Sequence, residues 1–179
     1  MPKRRILRIL FVSLVLATGT AAAAGEKPDF SGTWVFNAQK SRLQVPARLE
    51  SAVFTIDHRE PVFRFSRVFV VRDREDSLSY ELTTDGLEKV EKQSDRTITS
   101  RLYWDGEVLV LQNRIVLLDG REATNTVRYR LLKNLQTLVA EEEFRGPIRR
   151  HDNLWVADRK APPKDPDEGS SARGEMPED

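Results

Sequence analysis

The sequence predicts an all-β fold, a single up-and-down antiparallel meander barrel of about 8–10 strands. Three observations point there. From Gly25 to Lys160, apolar and polar residues alternate in short runs with no amphipathic helical period. Asp-Gly pairs at Asp85-Gly86, Asp105-Gly106 and Asp119-Gly120 separate such runs, and Asp-Gly favours the positive φ of a tight hairpin loop. The connections are also too short for the crossovers of a parallel sheet. A flat sheet of this size exposes two edges, and closing it into a barrel removes them. A two-sheet β-sandwich is the alternative architecture.

Taken in order, residues 30–39 read as the first strand, followed by a loop from Lys40 that closes at Pro46. Residues 49–58 alternate, with Ala52, Phe54, Ile56 and His58 on one face. Pro61 breaks that run before a long strand over 62–72. Asp73, Arg74, Glu75 and Asp76 read as a charged turn, and 78–84 as the next strand. Further strands are expected over 87–92, 97–104, 108–118, 124–132, 137–144 and 150–156. Asn134-Leu135 marks a fourth hairpin, with poorer turn chemistry than Asp-Gly.

The two flanks differ from this body. Lys3, Arg4, Arg5 and Arg8 precede an apolar run from Ile9 to Ala17, and Ala22, Ala23 and Ala24 follow. That order of basic head, apolar run and small residues reads as a signal peptide over 1–24. The run is well short of the roughly 20 residues that cross a bilayer, so a retained anchor is the lesser reading and no membrane span is expected after cleavage. Residues 161–179 are rich in Pro, Gly, Ser and acid and read as a disordered acidic tail. The domain is therefore expected over 25–160. The chain has no cysteine, which excludes disulfides, zinc–thiolate sites and a lipidated cysteine at the cleavage point. A soluble product in a periplasm or outside the cell is expected.

Charge excludes one class of partner. The full chain has a net charge of +1, and without the signal 25 Lys and Arg stand against 28 Asp and Glu, a net of −3. The tail holds two basic and six acidic residues, so the body is near neutral with interspersed signs. That is no nucleic-acid footprint.

Phe30-Ser31-Gly32-Thr33-Trp34 resembles the opening of the calycins, the lipocalin and fatty-acid-binding-protein superfamily, whose first strand begins with Gly-x-Trp. The wider string from Pro28 to Trp34, with Lys40-Ser41, is similar to the start of a group of small exported bacterial proteins of unknown function. Trp104-Asp105-Gly106 and Arg128-Tyr129-Arg130-Leu131 extend that similarity across about 130 residues. The resemblance implies a barrel whose floor Trp34 seals. Gly32 lets the chain bend at the base, and the indole N–H of Trp34 finds a partner there. Two family features are missing. The fatty-acid-binding branch reads a carboxylate with Arg-x-Tyr, whereas Arg128 and Tyr129 are adjacent here and face opposite sides. The lipocalin Thr-Asp-Tyr turn is absent too.

Strand parity picks out the candidate site. A polar residue on an apolar parity is buried, paired or lining a cavity. One parity reads Phe63, Phe65, Arg67, Phe69, Val71, and another Leu138, Ala140, Glu142, Phe144. The remaining runs contribute Ser100 between Ile98 and Leu102, Asn113 between Leu111 and Ile115, and Asn125 before Val127 and Tyr129. Trp34, Phe65, Arg67, Ser100, Asn113, Asn125, Tyr129 and Glu142 are thus the candidate ligand-binding residues. An apolar wall with a few polar groups is the composition of a small-ligand site, and an Arg suits an anionic head group. Two other arrangements satisfy the same parity. Either Arg67 pairs with Glu142 and fills the space, or a β-bulge returns Arg67 to solvent.

Catalytic signatures are missing: no Gly-x-Ser-x-Gly, no glycine-rich phosphate loop and no His-Glu-x-x-His. The two histidines, His58 and His151, have no nucleophile or metal set in the sequence around them. Asp73, Glu75 and Asp76 are a poor calcium loop, because Arg74 intrudes and no ligand-spaced Gly follows. No enzyme activity, cofactor or metal is expected. The expected function is uptake of a small amphipathic or hydrophobic molecule. The alternative is an envelope structural or protein-interaction module with a filled barrel.

Overall fold

A computed structural model describes residues 27–44, 49–132 and 134–161. The expected signal peptide, the Pro46 end of the first loop and the tail beyond residue 161 lie outside the described residues. Ten strands occur within them: β1 (Gly32–Phe36), β2 (Leu49–Arg59), β3 (Val62–Val71), β4 (Arg74–Thr83), β5 (Asp85–Lys92), β6 (Arg96–Asp105), β7 (Val108–Leu117), β8 (Glu122–Leu131), β9 (Thr137–Arg145) and β10 (Arg150–Arg159).

These strands make one antiparallel sheet in the order β4-β3-β2-β1-β10-β9-β8-β7-β6-β5. Neighbours are consecutive in sequence except β1 and β10, where the first strand meets the last and Trp34 stands opposite Arg159. The single sheet curls into a nearly closed barrel, which settles the choice against a two-layer sandwich. The seam lies between the edge strands β4 and β5. Lys89 of β5 bridges it, donating from Nζ to the Glu81 carbonyl of β4 at 2.9 Å.

The alternation expected from the sequence is what packs the interior. Ala52, Phe54, Ile56 and His58 of β2 are buried, as are Phe63 and Phe65 of β3, Leu109 and Leu111 of β7, and Val127 and Tyr129 of β8. The outer parity carries cross-strand ion pairs instead, such as Arg64 with Asp57 and Glu81, Arg114 with Glu122, and Arg130 with Glu141. One sheet therefore separates an apolar inside from a charged outside.

Three expected turns are corrected. Asp85-Gly86 is not a hairpin, because β4 pairs with β3 and β5 with β6. Asp85 Oδ1 instead accepts from the Leu87 N–H at 2.9 Å and the Thr83 hydroxyl at 3.0 Å. This Asx turn carries the chain across the seam. The charged segment Asp73–Asp76 is mostly strand. The turn is Arg72-Asp73, whose positive φ values of 51° and 59° match the twist of a two-residue hairpin loop without glycine. The loop between β6 and β7 is Gly106-Glu107, one residue later than expected, since Asp105 already pairs with Val108. Strand ends also move: β1 is shorter than residues 30–39, β5 and β8 each begin two residues early, and β10 runs on to Arg159.

Candidate ligand cavity

The hairpins alternate between two ends of the barrel, and the ends are built differently. The start of β1, the Glu60-Pro61 turn, the β4–β5 link and the Gly106-Glu107 turn share one end. Its interior is solid: Phe30, Trp34, Phe63, Leu102 and Leu109 are all fully buried. The Trp34 indole N–H donates to the Phe30 carbonyl at 3.0 Å, and the Arg159 guanidinium lies 4.2 Å from the ring centroid. That guanidinium is pinned in turn, donating to the carbonyls of Ser31 at 2.6 Å and Leu135 at 3.2 Å. Gly32 is required beside it. Its φ is +139°, and a Cβ there would stand 2.5 Å from Arg159 Nη1.

A polar network closes the same end. His58 is 5% exposed. Its Nδ1 accepts from the Phe30 N–H at 3.4 Å, and its Nε2 lies 3.0 Å from Glu60 Oε1. These partners assign the ring proton to Nε2. Glu60 also accepts from the Trp104 indole N–H at 2.7 Å and from the Thr84 hydroxyl. Burial pushes the Glu60 carboxyl up, but the donors Thr84, Trp104 and His58 outweigh it and hold it below its ordinary value. His58 is thus held between the Phe30 N–H and the Glu60 carboxylate. Among the described residues no three His, Asp or Glu side chains converge as a metal site.

Halfway up, opposite walls touch. The Tyr80 and Tyr129 hydroxyls are 3.3 Å apart, and the Phe65 ring packs against both, with centroids 5.0 and 6.2 Å away. Burial, with Tyr129 beside it, pushes the Tyr80 hydroxyl well above its ordinary value. Burial also pushes Tyr129 up to about 12. Both phenols are neutral hydrogen-bonding groups at ordinary pH.

Above this pair a cavity of about 190 Å³ opens toward the other end. Phe54, Phe65, Phe69, Leu111, Val127, Leu138 and Trp155 form its apolar wall, with Arg67, Asn113, Asn125 and Glu142 as its polar groups. Arg67 comes from β3. The β3 register is continuous against β2 from Ser51 to Arg59 and against β4 throughout, so no bulge turns Arg67 outward. It does not pair with Glu142 either. Its guanidinium lies 4.0 Å from the Phe69 ring centroid and 3.3 Å from Asp76 Oδ2. Glu142 Oε2 accepts at 2.9 Å from both Asn153 Nδ2 and the Trp155 indole N–H, and His151 Nε2 stands 4.0 Å away. Asn113 and Asn125 face each other across β7 and β8. Asn125 Oδ1 is buried and has no hydrogen-bond partner among the described residues.

Of the eight residues singled out from the sequence, Phe65, Arg67, Asn113, Asn125, Tyr129 and Glu142 meet at this cavity. Trp34 and Ser100 do not. Trp34 is the floor of the solid end, and its register partner Phe54, rather than Trp34 itself, lines the cavity. Ser100 pairs with Asn113 in register but stands on β6, beyond the lining. Phe54, Tyr80 and Trp155 also line the cavity, outside the eight. The parity of β2 carries Phe54; Tyr80 and Trp155 stand on strands where the residue order singles out no polar residue on an apolar face.

No protein-family model matches the sequence, and no curated protein matches it. Solved structures do match in shape. Zebrafish ileal bile acid-binding protein, in complex with cholic acid, aligns at a TM-score of 0.51 and 11% identity, over 73% of this chain and 98% of that one. Secretory abundant heat soluble protein 4 from Ramazzottius varieornatus aligns at a TM-score of 0.48 and 13% identity, over 73% and 95%. The fatty-acid-binding protein of Manduca sexta aligns at a TM-score of 0.41 and 10% identity, over 71% and 98%. At such identities the likeness to the zebrafish protein is one of fold: this chain has a calycin-like barrel.

Proposed function

We propose that this is an exported binding protein that takes a small amphipathic molecule into the open half of its barrel. One observation carries the reading. The cavity is walled by aromatic and aliphatic side chains, and its two charged groups, Arg67 and Glu142, face it without pairing with each other. Charges on an apolar wall ordinarily pair with each other; here Arg67 meets Asp76 and Glu142 meets Asn153 and Trp155 instead, and the apolar space left between the two suits a ligand. The shape likeness to a barrel crystallised with cholic acid is in keeping with this. At about 190 Å³ the cavity lies below the roughly 300–1,000 Å³ of drug-sized sites. It exceeds the roughly 150 Å³ that admits benzene. The ligand is therefore compact, a ring or a short chain, or it leaves part of itself outside the open end.

The modest volume also favours a second reading, an envelope interaction module whose cavity is only a packing remnant. Native mass spectrometry of the protein purified from its own cell envelope separates the two. The binding reading expects a mature mass lacking residues 1–24 and a small adduct released on denaturation. Adduct-free protein that also fails to take up indole or toluene would leave the interaction module standing.

A further inference from the structure

We infer that the ligand's head group carries both a hydrogen-bond acceptor for Arg67 and a donor for the Asn125–Glu142 wall, as an amino-carboxylate does. This rests on the binding reading above and narrows it. The phenols of Tyr80 on β4 and Tyr129 on β8 meet across the barrel. Arg67 of β3 pairs with Leu78, two residues from Tyr80, and Glu142 of β9 pairs with Val127, two residues from Tyr129. β3 and β9 are four places apart in the sheet order, so the two charges stand on different walls of one cavity. Both also act on the Tyr129 hydroxyl, Glu142 raising and Arg67 lowering its proton affinity.

The unmet hydrogen-bonding capacity differs from wall to wall. On the β3 side it is donor capacity. Arg67 has five N–H donors, and its protein partner is the exposed carboxylate of Asp76 at 3.3 Å. On the β8–β9 side it is acceptor capacity. Among the described residues Asn125 Oδ1 is buried and unpartnered, and Glu142 has both its hydrogen bonds on Oε2, with no donor to Oε1. A plain carboxylate satisfies Arg67 but brings a second negative charge into the cavity that Glu142 lines, where like charges repel. A plain amine has the opposite fault. A molecule bearing both groups on a compact apolar body meets both walls at once, and it is selected against single-charge analogues by repulsion as well as attraction.

The test titrates the full chain with L-phenylalanine, 3-phenylpropionate and phenethylamine, which share one ring and differ in head group. Toluene serves as the head-less control. Expected for the native protein is phenylalanine binding about tenfold tighter than either analogue, the size of one charge-assisted hydrogen bond. Glu142→Gln weakens phenylalanine and phenethylamine while strengthening 3-phenylpropionate, and Arg67→Gln weakens phenylalanine and 3-phenylpropionate while strengthening phenethylamine. Opposite responses of two probes in one variant do not arise from misfolding. If 3-phenylpropionate binds as tightly as phenylalanine, or if both variants shift all three probes alike, the inference is overturned. Toluene binding without any of the three also overturns it but leaves the cavity reading intact. Failure of all four sinks both.

Discussion

Beneath the phenol pair, the barrel is filled and its polar atoms are answered by the protein itself. Trp34 has both a carbonyl for its N–H and a guanidinium on its face, and His58, Trp104 and Thr84 converge on one carboxylate. Above the pair the same sheet, with the same alternation, encloses a space. The buried side-chain polar atom without a partner among the described residues is there, at Asn125. The strands are continuous through both halves, so the difference lies in side chains alone. Large rings at positions 30, 34 and 63 fill the lower section. Arg, Asn and Glu on the same parities keep the upper section open, because none of them packs as a hydrophobe without leaving a polar group unmet. The lower half holds the fold and leaves the upper half free to be incompletely packed.

The sharpest way to break this contrast is to make one substitution in each half. Trp34→Ala removes a fully buried ring and strands the Arg159 guanidinium over a void. It should cost about 3–5 kcal/mol, the range for large-to-small changes in a close-packed core. Trp155→Ala removes the same side chain from the cavity wall, where it is partly buried and stacks on Phe69 at 5.3 Å. There the hole joins an existing space, and the cost should be under half as large. Urea denaturation of both variants measures the pair. Equal losses would mean that the upper half is as solid as the lower.

The phenol boundary gives a medium-sized effect with a definite sign. Tyr129 is pushed up to about 12 in the folded protein, against about 10 in an unfolded chain. Between those values the unfolded chain has released the proton and the folded one retains it. Folding stability is thus intact below about pH 10 and falls as pH rises toward 12, by about 1.4 kcal/mol per pH unit for one such group. Tyr129→Phe should flatten that alkaline limb in denaturation curves taken at pH 10, 11 and 12, leaving the part due to Tyr80. Parallel limbs in the two proteins would mean that water reaches the hydroxyl, and the two halves would then be one continuous cavity.

Much of this arrangement was legible in residue order, because period-two alternation in a sheet is a direct statement about faces. Arg67, Asn113, Asn125 and Glu142 were placed by parity alone, and Trp34 by its Gly-x-Trp context. What was not legible depends on register between distant strands. Nothing local shows that Arg159 lies over Trp34, since that pairing arises from closure of β10 on β1, 125 positions along the chain. Nor does local sequence reveal that Asp76, rather than Glu142, is the neighbour of Arg67. That follows from a hairpin turn at Arg72-Asp73, where two non-glycine residues adopt positive φ. Asp85-Gly86 misled for the complementary reason. Its chemistry says turn, but only the sheet order says that the strands it joins lie on opposite sides of the seam.

The smallest expected effect is the most discriminating for the upper half. Asn125→Leu replaces a half-buried amide, whose buried oxygen has no partner among the described residues, with an apolar side chain of similar size beside Val127 and Leu111. Where a buried polar group is unsatisfied, removing it is nearly neutral or stabilising. The urea midpoint should therefore stay level or rise, by no more than about 1 kcal/mol, while binding of L-phenylalanine weakens. Stability and binding moving in opposite directions is what a site held incomplete for a ligand produces. A loss above about 2 kcal/mol would instead place Asn125 in a satisfied network, of the kind ordered water completes. The upper half would then be as saturated as the lower, and the contrast between them would reduce to one of volume.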